Sequence, residues 1–260
     1  MAVWREMALV GLDTETTGLS IQEDRIFEIG LTTYEKGELT ETWGELVDPG
    51  RELSPITVEK TGVTQAEVTG KPLLATVVGE VLKRIEGQVV VGYNLLGFDL
   101  PLLEVELGRL NLKMPECFPV DALVFTKGLV KKGRHRLVDM VKHYGITMEN
   151  AHRATADADA TVRLLLAMAP DLPEELDDLL VLQAQWSEED RQKKATWRKM
   201  RGQQPEAGQS TLLRQEFAST AHLVSDDGKP TLGPGYLYGR ETDPIRAFIE
   251  AYLALTSKGR

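Results

Sequence analysis

The apolar run Met7 to Leu12 passes without a break into Asp13-Thr14-Glu15, and that junction constrains the chain more than any other stretch. A short apolar run of this kind reads as a buried strand. In extended backbone alternate side chains share a face, so Asp13 and Glu15 project together at the end of that strand. One carboxylate there is costly and two repel, unless a cation or a proton intervenes. A divalent metal resolves the conflict, although an Asp-x-Glu pair taken alone is also common on solvated surface.

Further along, Arg25 to Tyr34 and Glu41 to Val47 carry β-forming residues separated by the turn-forming Glu35-Lys36-Gly37, which predicts a hairpin. Pro72 opens an apolar helical repeat that closes at Gly87, and Gln88 to Tyr93 follows as a buried strand. Helices are predicted from about Phe98 to Leu110, Leu137 to Tyr144 and Ala154 to Ala169, the last stopped by Pro170. Strands first, then strand alternating with helix, means a mixed sheet flanked by helices. On this reading residues 1–170 form the main α/β domain and 171–200 a charged helical extension. Residues 201–241, rich in Gly, Pro, Ser and Gln, read as a linker, and 242–260 as an amphipathic helix. Asp243 and Pro244 suit the start of that last helix, and Ile245, Phe248, Ile249, Tyr252 and Leu253 form one apolar stripe. Its stripe docks on the chain's own core, on a partner protein or on a second copy.

Composition narrows the classes. A chain of 260 residues with 42% apolar content can bury a sizeable core. The single cysteine, Cys117, excludes an intramolecular disulfide, and the N-terminus lacks a secretion signal, so a cytoplasmic location is expected. No apolar run has the roughly 18 to 20 uncharged residues a membrane span needs. A net charge of −10 argues at first against a nucleic-acid partner. Yet carboxylates that bind metal count fully in that sum, and positive charge gathers at Lys127, Lys131, Lys132, Arg134 and Arg136, and again from Arg191 to Arg201. No Gly-rich phosphate loop of the Walker type appears, which disfavours a phosphotransferase or ATPase.

Two more segments place acids in settings like that of Asp13. Gly92-Tyr93-Asn94-Leu95-Leu96-Gly97-Phe98-Asp99 follows a buried strand and opens a helix; by itself Asp99 also reads as a helix cap. In Ala151-His152-Arg153-Ala154-Thr155-Ala156-Asp157, five positions separate a loop histidine from a carboxylate in the first turns of a helix. Those two could face one cavity from different sides, although a histidine beside a helix start is commonly an ordinary surface residue.

Together, in order and setting, the three segments resemble the sequence motifs of the DEDDh exonucleases, the histidine subclass of the DnaQ-like family. Asp13-Thr14-Glu15-Thr16-Thr17-Gly18 matches the first motif, Asn94 with Phe98-Asp99 the second, and His152-Arg153-Ala154 with Asp157-Ala158 the third. One departure is visible: Tyr93 stands where many members carry histidine. The resemblance covers about residues 7 to 169. It implies a ribonuclease H-like fold, a mixed five-stranded sheet flanked by helices, here with a mostly helical C-terminal extension. It further implies hydrolysis from the 3′ end of single-stranded nucleic acid, DNA favoured, releasing nucleoside 5′-monophosphates.

On the same resemblance Asp13, Glu15, Asp99 and Asp157 hold two divalent cations, Mg²⁺ or Mn²⁺, with Asp13 bridging, and His152 is the general base. Hard oxygen ligands suit those ions, and a two-metal site can stabilise both the attacking and the leaving oxygen. Histidine, as a side-chain type whose unperturbed pKa lies near neutrality, suits that task. Thr16 and Leu19 take the positions that hold and wedge the terminal nucleotide in relatives, and Phe98 the position of an aromatic ring near the cleaved end, unless it is simply core. Asp159 is read as solvated, His135 and His143 as helix-surface or cap residues, and Glu28 is left unassigned. Lys131, Lys132, Arg134 and Arg136 could guide a substrate backbone or merely line a solvated loop. Alternatives are an RNA-directed enzyme similar to oligoribonuclease or ribonuclease T, and a non-catalytic interaction module. Proofreading, repair and RNA trimming all fit.

Overall fold

The computed structural model describes residues 2–148 and 151–201. Apart from Arg201, the linker expected over 201–241 and the helix expected over 242–260 lie outside the described residues. Five strands form one sheet: β1 (Ala8–Thr16), β2 (Ile26–Glu35), β3 (Glu38–Leu46), β4 (Val89–Gly92) and β5 (Phe118–Asp121). Their order is β3-β2-β1-β4-β5, with β1, β4 and β5 parallel and β2 antiparallel to its neighbours. This is the mixed sheet that the sequence pattern predicts, with the five strands of the ribonuclease H-like fold that the resemblance implies. The helices are α1 (Pro55–Thr61), α2 (Gln65–Val68), α3 (Leu74–Ile85), α4 (Asp99–Arg109), α5 (Ala122–Leu129), α6 (Leu137–His143), α7 (Ala154–Met168) and α8 (Leu176–Met200). None of them is long and apolar enough to cross a membrane.

Alternation along β1 divides the core between two faces. Val10 and Leu12 pack with Val90, Val78, Val81, Leu100 and Leu103 under α3 and α4. Leu9 points the other way and joins Val91, Phe125, Val162, Leu165 and Leu179 under α5, α7 and α8. Positions 11, 13 and 15 share the second face with Leu9.

That face is open to a close helix because it lacks side chains where α7 crosses. Asp13 pairs with Gly30 across the first ladder, and Gly30 with Gly44 across the second. A Cβ on Gly30 would collide with the backbone of Ala154 and Thr155, one on Gly44 with the Thr155 side chain, and one on Gly11 with Thr32 and the Ala158 carbonyl. The first turns of α7 therefore lie almost in contact with the sheet, level with Asp13.

The segment 171–200 shares this core. Leu176, Leu179, Leu180 and Ala184 of α8 are buried, whereas its C-terminal half is exposed and laced by pairs such as Lys193–Glu189 at 3.4 Å. Gln183, 1% exposed, treats the edge of the sheet as a further strand would. Its Oε1 accepts from the Asp121 amide at 2.6 Å, and its Nε2 donates to the Pro119 carbonyl at 3.0 Å.

Adding one methyl group at Gly30 must push α7 off the sheet. Gly30→Ala is expected to lower stability by about 1–3 kcal/mol, measured by urea unfolding; a variant as stable as the parent would show that α7 does not depend on this seat.

Candidate active site

The C-terminal end of β1 carries Asp13 and Glu15 on the α7 face, both half-buried, with Glu28 of β2 directly opposite Glu15. Asp99, 3% exposed, is the first residue of α4 and comes from the other layer. Its Oδ1 accepts from the Thr14 amide at 3.1 Å and the Thr14 hydroxyl at 2.7 Å, which ties the α4 start to the strand between the two acids. The loop ahead of α4 turns at Asn94, whose φ of 67° suits an asparagine in the left-handed region. Asp121 fastens that loop by accepting from the amides of Asn94 and Leu96 at 2.9 and 3.1 Å.

Asp157 lies in the first turn of α7, where the helix dipole favours a carboxylate. The His152 amide donates to its Oδ1 at 3.1 Å. His152 itself sits at φ 68°, a strained conformation for a side chain of its size. The next residue holds the turn in place: Arg153 Nε donates to both Glu28 carboxylate oxygens at 3.0 and 3.2 Å. Glu28 is 3% exposed, so this clasp anchors the turn to the floor of the sheet. One ligand atom each of Glu15, His152 and Asp157 lies within 4.8 Å of the other two.

Crowding shows in the acidities. Burial, then repulsion by Asp99, Asp157, Glu15 and Glu28, pushes the Asp13 carboxyl well above the ordinary range. The Glu15 carboxyl rises to about 8, through burial and then Asp157, and Asp99 rises to about 7, chiefly through burial. Burial also raises Asp157, against the His152 amide and ring and Lys60. The four acids thus occupy one low-dielectric region, and their oxygen donors fit hard divalent cations. Lys60, on the short helix α1, opposes the upward shift of both Glu15 and Asp157.

The remaining candidates divide. Leu19 is 84% exposed in the loop after β1, and Thr16 donates its hydroxyl to the Gly18 carbonyl at 2.7 Å. Phe98 is half-buried and packs against the α3/α4 core cluster. Asp159, read as solvated from its helix face, instead accepts from the Tyr34 hydroxyl at 2.5 Å and pairs with Arg163 at 3.1 Å. His135 is not on a helix; it lies in the loop before α6, with Nε2 against the Val130 carbonyl at 2.8 Å. Sequence reasoning missed Lys60 and the Glu28–Arg153 clasp. An unassigned glutamate inside the apolar Ile26-Phe27-Glu28-Ile29 was the one signal for the latter.

Comparison with known proteins agrees with this architecture. The chain belongs to the RNase_T exonuclease family, matched over residues 10–165 and part of the DnaQ-like superfamily. DNA polymerase III PolC-type of Streptococcus agalactiae is 33% identical over 193 residues, covering 73% of this chain. The PolC-type enzyme of Streptococcus suis is 33% identical over 196 residues, covering 74%. The chain spans only 13% of the length of these relatives. Among solved structures, exonuclease X in complex with 5′ overhanging duplex DNA superposes with a TM-score of 0.55 at 22% identity, covering 67% of this chain and 99% of that one. E. coli exonuclease I in complex with a dT13 oligonucleotide gives 0.55 at 20%, covering 62% and 41%. These likenesses show the fold. The chain therefore carries an exonuclease domain, a nuclease of the hydrolase class.

Raised carboxyl pKa values mean that the folded state binds protons more tightly than the unfolded one. Without divalent cations the site therefore contributes stability at acid pH that is lost as pH rises from the unfolded range, about pH 4, through the folded values, up to about 8 at Glu15. Thermal melts should show a stabilisation by Mg²⁺ that grows with pH over this window and shrinks in Glu15→Gln. An increment that is the same at both ends of the window would count against a shared cation site.

Proposed function

We propose that this chain is a 3′-to-5′ exonuclease on single-stranded nucleic acid, with DNA as the favoured substrate and nucleoside 5′-monophosphates as products. The observation that carries the reading is the convergence of Asp13, Glu15, Asp99 and Asp157, from both layers of the fold, beside the His152 ring. Those acids would hold two divalent cations, Mg²⁺ or Mn²⁺. Bound there, the cations supply charge stabilisation for the phosphoryl oxygens and for the attacking and leaving oxygens.

The chain's own groups perform the rest. One ring nitrogen of His152 takes the proton of the attacking water, the general-base role that a positioned imidazole fills in many hydrolytic sites. Its strained backbone, the hydrogen bond from its amide to the Asp157 carboxylate and the Arg153–Glu28 clasp hold that ring against the acids before substrate arrives, which limits the reorganisation needed during reaction. The phosphorus–oxygen bond to the upstream 3′ oxygen breaks, and that oxygen leaves with a proton from solvent. Leu19, exposed on the rim, would wedge against the terminal base, and Thr16 would hold the terminal nucleotide. Phe98 packs against the core and is half-buried. The relatives' names, a DNA polymerase and two exonucleases with bound DNA, support DNA over RNA.

With Mg²⁺, a 5′-labelled single strand should shorten as a ladder and release 5′-mononucleotides, and chelation should stop it. His152→Ala should reduce kcat by about 100- to 10,000-fold with an unchanged melting curve. Shortening from the 5′ end, or wild-type turnover in the variant, would overturn the assignment; faster loss of a matched RNA strand would move the substrate to RNA.

A further inference from the structure

Asp13 and Glu15 close β1, Asp99 opens α4 after β4 and Asp157 lies in the first turn of α7, and this cluster has a flank on either side along the sheet. On the β2 side lies the loop after β1, with Leu19, tied to α1 by the Thr57 hydroxyl donating to the Thr17 carbonyl at 3.4 Å. On the β5 side a cleft of about 590 Å³ opens between α5, α8 and the loop that delivers Asp99. Asn94, Leu96 and Gly97 of that loop are part of its lining, so the cleft borders the same loop that leads into Asp99.

Its chemistry differs from the rest of an acidic chain. Lys127, Lys131, Lys193 and Lys194 line it, against the exposed-side carboxylates Glu189 and Asp190. Asp190 is shared by Lys127 and Lys194, each at 2.9 Å, and Glu189 is held by Lys193 at 3.4 Å. The third acid, Asp121, is occupied by backbone amides. Cations therefore exceed the carboxylates available to them, in a protein whose net charge is −10. The wall between these lysines is Trp186. Its indole lies against Gly128, where any Cβ would collide with it, stands edge-on to Phe125 at 6.1 Å, and carries the Lys131 ammonium 5.9 Å from its ring centre. An aromatic plane bordered by movable ammonium groups is the arrangement that holds a nucleic-acid single strand without reading its sequence.

We propose that this cleft holds the part of the strand immediately 5′ of the cleaved bond, with its phosphates toward Lys131 and Lys193 and a base against Trp186. The terminal nucleotide occupies the Leu19 flank, the scissile phosphate the acids, and the upstream strand the α5/α8 flank. Helix α8 is then a substrate-binding element as well as part of the core. This rests on the exonuclease reading of the acidic cluster.

The test compares strands of about 3 and about 16 nucleotides on the full chain and on a Lys131→Ala, Lys193→Ala double variant; both lysines are exposed, so folding is not at stake. For the long strand KM should rise about tenfold, and the slope of log affinity against log salt should become shallower by about 1.4, as for two lost phosphate contacts on single strands. For the short strand KM should change far less. An equal change at both lengths, or an unaltered salt slope, would overturn the proposal. Absence of 3′-to-5′ turnover in the parent chain would instead remove the reading beneath it, while salt-dependent binding of the labelled long strand would still report on the cleft.

Discussion

The seat of α7 on the sheet is the constraint on which the site depends. Helices normally stand off a sheet by the thickness of two side-chain layers, and at that distance Asp157 could not share a region with Asp13. Gly30 and Gly44, in one row with Asp13, and Gly11 on the same face remove one of those layers where the helix begins. The cost is lost apolar contact beneath the first turns of α7. The helix recovers it further along, through Val162, Leu165 and Met168, which are fully buried.

Repulsion among the acids is contained by ties that do not involve them as a group. Thr14 holds Asp99 from one layer, the His152 amide holds Asp157 from the other, and Arg153 neutralises Glu28 beneath both. The ties to Asp99 and Asp157 each engage Oδ1 alone. Rigidity therefore comes from the neighbours of the site, and the acids keep oxygens open to a cation.

Much of this was legible in the sequence where a local pattern forces a structure. Two carboxylates closing an apolar run placed Asp13 and Glu15 on β1, and the apolar periods of α3 and α7 marked those helices within a residue or two. What was illegible depends on distant partners. Helix α2 is four residues long and α1 seven, too short for a period, and β5 is a four-residue strand identified by its ladder to β4. Lys60, on α1, was lost with it. Asp159 reads as solvated because its helix position says nothing of Tyr34, which meets it from a strand 125 residues earlier. Gln183 gave no signal at all, since nothing local distinguishes a glutamine that bonds a strand edge from one on a charged surface.

That glutamine has a consequence for the life of the chain before it is fully folded. An open strand border is a template on which a second molecule can pair, and proteins that leave one bare tend to self-associate. Here the border at β5 is closed by a residue more than sixty positions later, at 2.6 and 3.0 Å. A nascent polypeptide whose sheet has formed but whose α8 has not yet emerged exposes that border in the interval. The helix that completes the core thus also ends the period in which two copies could stick together.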